Sequence, residues 1–215
     1  MTLDNQTQEY YKNNAVKLYA DYIGVQGGIS KFFGYIFKPG DNVLDIGAAS
    51  GRDLLKLLDL KINAVGIEPC NELRAIAISK NPKLVTRLLP AIPPGMNGEF
   101  EGIICSAVLM HLDSDDVNKM VSFIKENIID HGNVLISVPL EREGIDENLR
   151  DKNGRLFILR PASDYIRLFT KRNFTLINEW QNEDGLNRVG NTWVNLLFKK
   201  NPEKEEAEAI YYDYH

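Results

Sequence analysis

Short apolar runs alternate with leucine-rich helical stripes along most of this chain. Val43, Leu44 and Ile46 follow the turn signal Pro39-Gly40-Asp41 and predict a buried strand over Asn42–Ile46. Leu54, Leu55 and Leu58 then recur at helical spacing, and Ile62–Ile67 repeats the strand signature. Leu73, Ile76 and Ala77 predict a helix from Cys70 to Lys80, ended by Asn81-Pro82. Leu84–Leu88 reads as a third strand, and the proline-bearing stretch 89–98 after it cannot continue helix or interior strand. A fourth strand is expected over Glu101–Ser106. Asp113 is a suitable N-cap for the next helix, Asp116 sits in its first turn, and Val117, Met120, Val121, Ile124 and Ile128 form its apolar stripe. His131-Gly132 is expected to end that helix, and Val134–Val138 to form a fifth strand stopped by Pro139.

At the amino end, Tyr11, Ala15, Leu18 and Tyr19 fall at i, i+4, i+7 and i+8, which predicts one helix over residues 9–22. Gly27-Gly28 breaks the chain, and Ile29–Phe37 reads as a second helix. Beyond the fifth strand, Glu141–Arg155 is dense in charge and contains Gly144 and Gly154; it reads as a solvated loop or, from its position, as a substrate lid. Tyr165, Leu168 and Phe169 form the inward face of a further helix. Phe174–Trp180 and Asn191–Lys199 are the last two strands, a hairpin joined by the polar loop Gln181–Gly190. The alternation implies an α/β architecture, a doubly wound, mostly parallel sheet with helices on both faces.

Ligands of such sheets bind at the carboxyl ends of the strands, where Asp45, Glu68 and Ser106 all fall. The turn after the first strand, Gly47-Ala48-Ala49-Ser50-Gly51, carries little side chain. A ligand can lie almost against its backbone, near the partly positive start of the next helix. Asp45 is placed to meet a cationic group of that ligand. Glu68 ends the second strand about twenty residues further on, the position from which dinucleotide-type folds hold a ribose.

Asp45-x-Gly47-x-x-x-Gly51 followed by Gly66-Ile67-Glu68-Pro69 resembles the cofactor half of the class I S-adenosylmethionine-dependent methyltransferases. The resemblance runs from about residue 10 to 200 and implies a Rossmann-like, seven-stranded sheet with a C-terminal antiparallel hairpin. It implies S-adenosylmethionine as cofactor and S-adenosylhomocysteine as product. Asp45, Gly47, Ala48, Gly51 and Glu68 inherit the cofactor-binding roles, with Pro69 beside the adenine and Arg52 and Ser106 as further candidates. Ala49 stands where many members have a second glycine. The carboxylate that often follows the third strand is missing from Thr86-Arg87-Leu88-Leu89.

In that family an N-terminal helix often folds over cofactor and substrate, so Tyr10, Tyr11 and Asn14 are candidates to line a lid; alternatively they pack against the domain edge. Ser106-Ala-Val-Leu-Met-His111-Leu112 resembles the segment where the methyl group meets its acceptor. His111 is the candidate general base, or else a structural residue at a helix start. Arg142, Arg155, Arg160 and Arg188 are candidates to bind an anionic substrate, a carboxylate being one such group. Arg155-x-Phe157-x-x-Arg160 and Asp184-Gly-Leu-Asn-Arg188, with Trp193, resemble a subgroup whose acceptor the sequence does not name.

The chain has 215 residues, a formal net charge of −5 and a pI near 5.3. That charge gives no bulk attraction to phosphate backbones, which favours a small-molecule substrate over nucleic acid. The polar N-terminus and the absence of any membrane-length apolar run lead to the expectation of a soluble, cytoplasmic protein, and oligomeric state is left open. Cys70 and Cys105 read as reduced thiols, and no metal site is expected. One methyltransferase domain over 1–200 and an acidic tail over 201–215 are the expected boundaries. Two rivals stand beside methyl transfer. A nicotinamide-dependent oxidoreductase would lack the final hairpin. A non-catalytic S-adenosylmethionine-binding regulatory module would lack an open acceptor cavity.

Overall fold

The computed structural model describes residues 3–25, 28–92 and 99–203. The described strands are β1 (Asn42–Ile46), β2 (Asn63–Ile67), β3 (Leu88–Leu89), β4 (Phe100–Ser106), β5 (Ile128–Glu141), β6 (Phe174–Glu183) and β7 (Thr192–Lys200). They form one seven-stranded sheet in the order β3-β2-β1-β4-β5-β7-β6. The pairs from β3 across to β5 are parallel, while β7 is antiparallel to both β5 and β6. The expected sheet with its closing antiparallel hairpin is therefore present, and the hairpin is the feature a nicotinamide-type sheet would lack.

Alternation along the central strands explains why both faces are covered. Leu44, Ile46, Ile103, Cys105, Val134 and Ile136 point into one core, completed by α6 (Ser114–Asn127) and α7 (Ala162–Thr170). Val43, Ile104 and Leu135 point the other way, against α3 (Phe33–Ile36), α4 (Arg52–Asp59) and α5 (Asn71–Lys80). In α6 the Asp113 carboxylate accepts the Asp116 N–H at 2.8 Å, and Asp115 and Asp116 complement the helix dipole.

Several boundaries differ from those expected. The N-terminal helix is two, α1 (Asn5–Asn13) and α2 (Ala15–Ile23), because Asn14 leaves helical geometry and its side-chain amide donates to the Tyr10 carbonyl. Ile29–Phe37 is a 3-10 segment, Gly28–Phe32, followed by the single turn of α3. Residues 82–84, led by Pro82, form a 3-10 turn, so the third strand shortens to β3. Helix α6 stops at Asn127, and β5 begins at Ile128 with a register jump opposite β4. His131 sits in that jump with φ 63°.

Pro139 does not stop β5. The strand continues to Glu141, paired only with β7, because β4 ends at Ser106 opposite Ser137. On the β4 side there is no ladder for a missing N–H to break. The charged stretch after β5 is folded rather than simply solvated. Thr7 Oγ1 accepts the Leu156 N–H at 2.9 Å, Arg150 pairs with Asp4 at 2.9 Å, and Asp151 and Arg155 are buried. Residues 93–98 of the proline-bearing loop and 204–215 of the acidic tail lie outside the described residues.

Gly102 on β4 lets Phe37 lie close against the sheet, since a methyl added there would stand 2.3 Å from Phe37 Cε1. We expect Gly102→Ala to lower stability by about 1–3 kcal/mol in urea unfolding. Gly24→Ala, where the nearest atom is 3.9 Å away, should change it by less than about 0.5 kcal/mol.

Candidate functional site

The turn between β1 and α4 lets the chain reverse without covering its own backbone. Gly47 has φ 75°, and a side chain there would meet Val108 Cγ2 at 2.3 Å. Ala49 follows with φ 47°, a left-handed conformation that costs an alanine roughly 1–2 kcal/mol. Gly51, also left-handed, starts α4.

Three acids gather beside this turn. Glu68, at the end of β2, accepts the Ala49 N–H at 3.0 Å through one oxygen and the Cys70 N–H at 2.7 Å through the other. Each oxygen keeps a lone pair for a further donor. Asp53 is clamped by Arg52 through two bonds of 2.8 Å. Asp45 is 3% exposed, and its Oδ2 has no partner among the described residues. Burial and the neighbouring Asp53 carboxylate hold its pKa well above the usual range, against the pull of Arg52. Arg52 answers Asp53 and Arg74 bears on Glu68, so among the described residues Asp45 alone has no guanidinium bonded to it and is held toward its neutral form, a latent negative excess. A cationic ligand fits that excess, and Asp45 Oδ2 is where it would be felt.

At the other end of the site the sheet itself supplies a wall. β5 overshoots β4, and β7 and β6 run with it, Glu141 opposite Thr192 and Thr192 opposite Glu183. The β6–β7 turn therefore arrives at the same edge as the carboxyl ends of the parallel strands. It brings Asp184, whose carboxylate accepts two bonds from the Arg188 guanidinium, at 2.9 and 2.5 Å, and one from the Trp193 indole at 3.0 Å. Arg142 and Arg155, from the folded charged loop, share Asp151.

Between the two ends lies a cavity of about 800 Å³, lined by Asp45, Gly47, Ala48, Arg52, Glu68, Pro69 and Ser106, and also by Tyr11, His111 and Arg188. With Arg142 and Arg155, which also line it, the structure thus brings twelve of the sequence-predicted site residues to one space. Others stand apart from it. Gly51 packs toward Leu84, Tyr10 and Asn14 face a separate hollow beside Asn153 and Gly154, and Arg160 donates to the carbonyls of Leu109 and Leu112. Tyr22, Asp53 and Ser137 line the cavity without having been singled out in the sequence. Of these, only Asp53 carried a signal, as the acid directly after Arg52.

His111 is held in one tautomer. Its Nδ1 lies 2.5 Å from the Leu156 carbonyl oxygen, so Nδ1 carries the hydrogen and Nε2 is free to accept from the Tyr11 hydroxyl at 3.2 Å. Burial, with the Arg155 and Arg142 charges, pushes its pKa down to about 4, against the pull of the Leu156 bond.

Residues 21–179, well over half of the chain, match the family model described as a methyltransferase domain. The chain belongs to the methyltransferase family. Among solved structures, this methyltransferase is similar to the Burkholderia thailandensis 1,6-didemethyltoxoflavin-N1-methyltransferase bound to 1,6-didemethyltoxoflavin and S-adenosylhomocysteine. The identity is 18% and the TM-score 0.69, over 94% of this chain and 92% of that one. It is also similar to the Synechocystis PCC 6803 magnesium protoporphyrin IX methyltransferase with bound S-adenosylhomocysteine, at 13% identity and TM-score 0.70, over 92% of this chain and 100% of that one. The [4+2]-cyclase SpnF shares the fold as well, at 12% identity and TM-score 0.68, over 94% and 99% of the two chains. At such identities the likeness shows the fold alone. No curated protein matches the chain. Among the described residues no helix is long and apolar enough to cross a membrane.

Because the His111 ring is buried and hydrogen-bonded as a neutral donor, we expect ¹⁵N-detected titration to show the Nδ1–H tautomer at neutral pH and protonation near 4. The unfolded chain binds this proton near the ordinary value of 6.5, so this residue's contribution to stability falls as pH drops from there toward 4. A ring that titrates near 6.5 in the folded protein would contradict this.

Proposed function

We propose that this methyltransferase binds S-adenosylmethionine at the β1–β2 end of the cavity and moves its methyl group to a small-molecule acceptor held at the β5–β7 end. The observation that carries the reading is the pairing of a buried, cation-seeking acid cluster with an open cavity that continues past it to a second polar wall. A non-catalytic binding module would have no use for that second part. The relatives named above, two of them methyltransferases holding S-adenosylhomocysteine and one of these also holding 1,6-didemethyltoxoflavin, support the same choice of cofactor and a small-molecule acceptor.

When bound, the cofactor supplies an electrophilic methyl group on a positively charged sulfur. The roles we assign to the protein are binding and orientation. Asp45 faces the cation, Glu68 accepts hydroxyl donors, and Gly47 and Ala48 allow close approach of the backbone. Pro69, Arg52 and Ser106 complete that end. Alignment of two reactants can account for about 7–11 kcal/mol of barrier lowering, so strong acid–base catalysis is not required.

For His111 we propose an orienting role with Tyr11, through Nε2 at the cavity wall. A group protonating near 4 is a weak base. It suits an acceptor that is nucleophilic without first losing a proton, and does not suit an unactivated alcohol.

Calorimetric titration tests the cofactor assignment. We expect micromolar binding of S-adenosylmethionine, weakened at least about tenfold by Asp45→Ala and by Glu68→Ala, the scale of a lost charge-assisted hydrogen bond. NADH should not bind. Tight NADH binding without binding of S-adenosylmethionine would overturn the reading.

A further inference from the structure

The three arginines at the β5–β7 end are not equivalent. Arg155 gives Nε and Nη2 to Asp151, at 2.9 and 2.6 Å, and Arg188 gives Nε and Nη2 to Asp184. Among the described residues Arg142 has no carboxylate of its own. It reaches Asp151 Oδ2 through Nη2 alone, at 3.2 Å, and that oxygen already receives both bonds from Arg155. The other Asp151 oxygen accepts the backbone N–H groups of Asn153 and Arg155.

The Arg142 side chain is 8% exposed, and its Nε–H is buried without a partner among the described residues. Its guanidinium stacks on the Phe157 ring at 3.8 Å, which fixes its plane, and the residue lines the main cavity. The charged groups that bear on it are Arg155, Arg188 and Asp151, and its sequence neighbours Glu141 and Glu143 are exposed. Among the described residues three guanidinium groups thus share two carboxylates, Asp151 and Asp184, leaving one positive charge uncompensated in a buried place. A planar donor edge with a missing partner and a single excess charge are the complement of a monoanionic carboxylate. A phosphate dianion would overcompensate it.

We propose that the acceptor of this methyltransferase carries a carboxylate, and that the unpartnered edge of Arg142 receives it. The proposal rests on the function proposed above, because it places the acceptor at this end of the cavity. It also separates the two charges of the reaction. The acid cluster sits at the ends of β1 and β2 and the arginine edge at the end of β5, two to three strands or about 10–14 Å away at the usual strand spacing.

The experiment follows the ¹⁵Nε–H resonance of Arg142 while acetate, acetamide or methylphosphonate is added to the full chain, with and without saturating S-adenosylhomocysteine. These probes are small enough to enter whatever the shape of the true acceptor. We expect acetate to shift the resonance saturably in both states, acetamide to bind at least tenfold more weakly, and methylphosphonate to bind no better than acetate. Arg142→Gln should weaken acetate binding at least tenfold, as read on the Trp193 indole resonance, and leave affinity for S-adenosylmethionine within twofold. Should that variant not fold, Arg142→Lys, which keeps the charge and removes the fork, is expected to lose most of the acetate response.

An equal response to acetamide, or no saturable response to acetate, would overturn the proposal. Tighter binding of methylphosphonate would replace the carboxylate by a phosphate-class group. Loss of the acetate response on adding S-adenosylhomocysteine would assign Arg142 to the cofactor's own carboxylate, also against the proposal. Failure of S-adenosylmethionine to bind the unsubstituted protein is a separate result, and it strikes the cofactor reading instead.

Discussion

A carboxylate buried without a full set of partners is costly to keep, and Asp45 is such a group. Its position follows from the sheet. β1 lies between β2 and β4, so the residue near its carboxyl end is walled by strands on both sides, and the turn at Gly47 and Ala48 removes side chains that could have shielded it from a ligand. Glu68 and Asp53 add charge of the same sign; Arg52 answers Asp53 and Arg74 bears on Glu68, and no guanidinium among the described residues is bonded to Asp45. The protein tolerates this arrangement because two large apolar cores, one on each face of the sheet, hold β1 in place irrespective of what happens at its end.

The second end of the cavity depends on a different constraint. Because β4 stops at Ser106 while β5, β7 and β6 continue, the sheet is stepped, and the step leaves room above Ser106, Ala107 and Val108. The folded loop around Asp151, tied to α1 through Thr7 and to His111 through Leu156, closes one side of that room. A reverse-running β7 is what lets the β6–β7 turn reach it. The antiparallel hairpin is therefore part of the site's construction as well as a mark of the fold.

Much of this was legible in the sequence, for identifiable reasons. Short apolar runs at 42–46 and 62–67 marked the strands β1 and β2, and the small residues at 47–51 marked a turn whose use is close approach. Failures lay where a local rule met a tertiary exception. Pro139 reads as a strand end, yet it is accommodated because its side of β5 has no neighbour there. Asn14 sits inside a regular apolar stripe, yet its side chain takes the Tyr10 carbonyl and divides the helix. Glu141–Arg155 looks solvated by composition and most of it is exposed, but the pairing of Arg155 with Asp151 buries those two and folds the loop around them. The same pairing distinguishes Arg142 from Arg155 and Arg188, a difference that no spacing along the chain reveals. Arg160, with the same residue type and a neighbouring position, serves the backbone instead.

If the unpartnered Asp45 carboxylate is what receives the cationic cofactor, its proton must leave when the cofactor arrives, because a nearby positive charge favours the ionised form. The direct measurement is calorimetry of S-adenosylmethionine binding in buffers of different ionisation enthalpy, repeated across about pH 5–8 and compared with Asp45→Asn. The account predicts a release of protons by the unsubstituted protein in excess of the variant, largest toward the acidic end. Identical proton balances in the two proteins at every pH would contradict it.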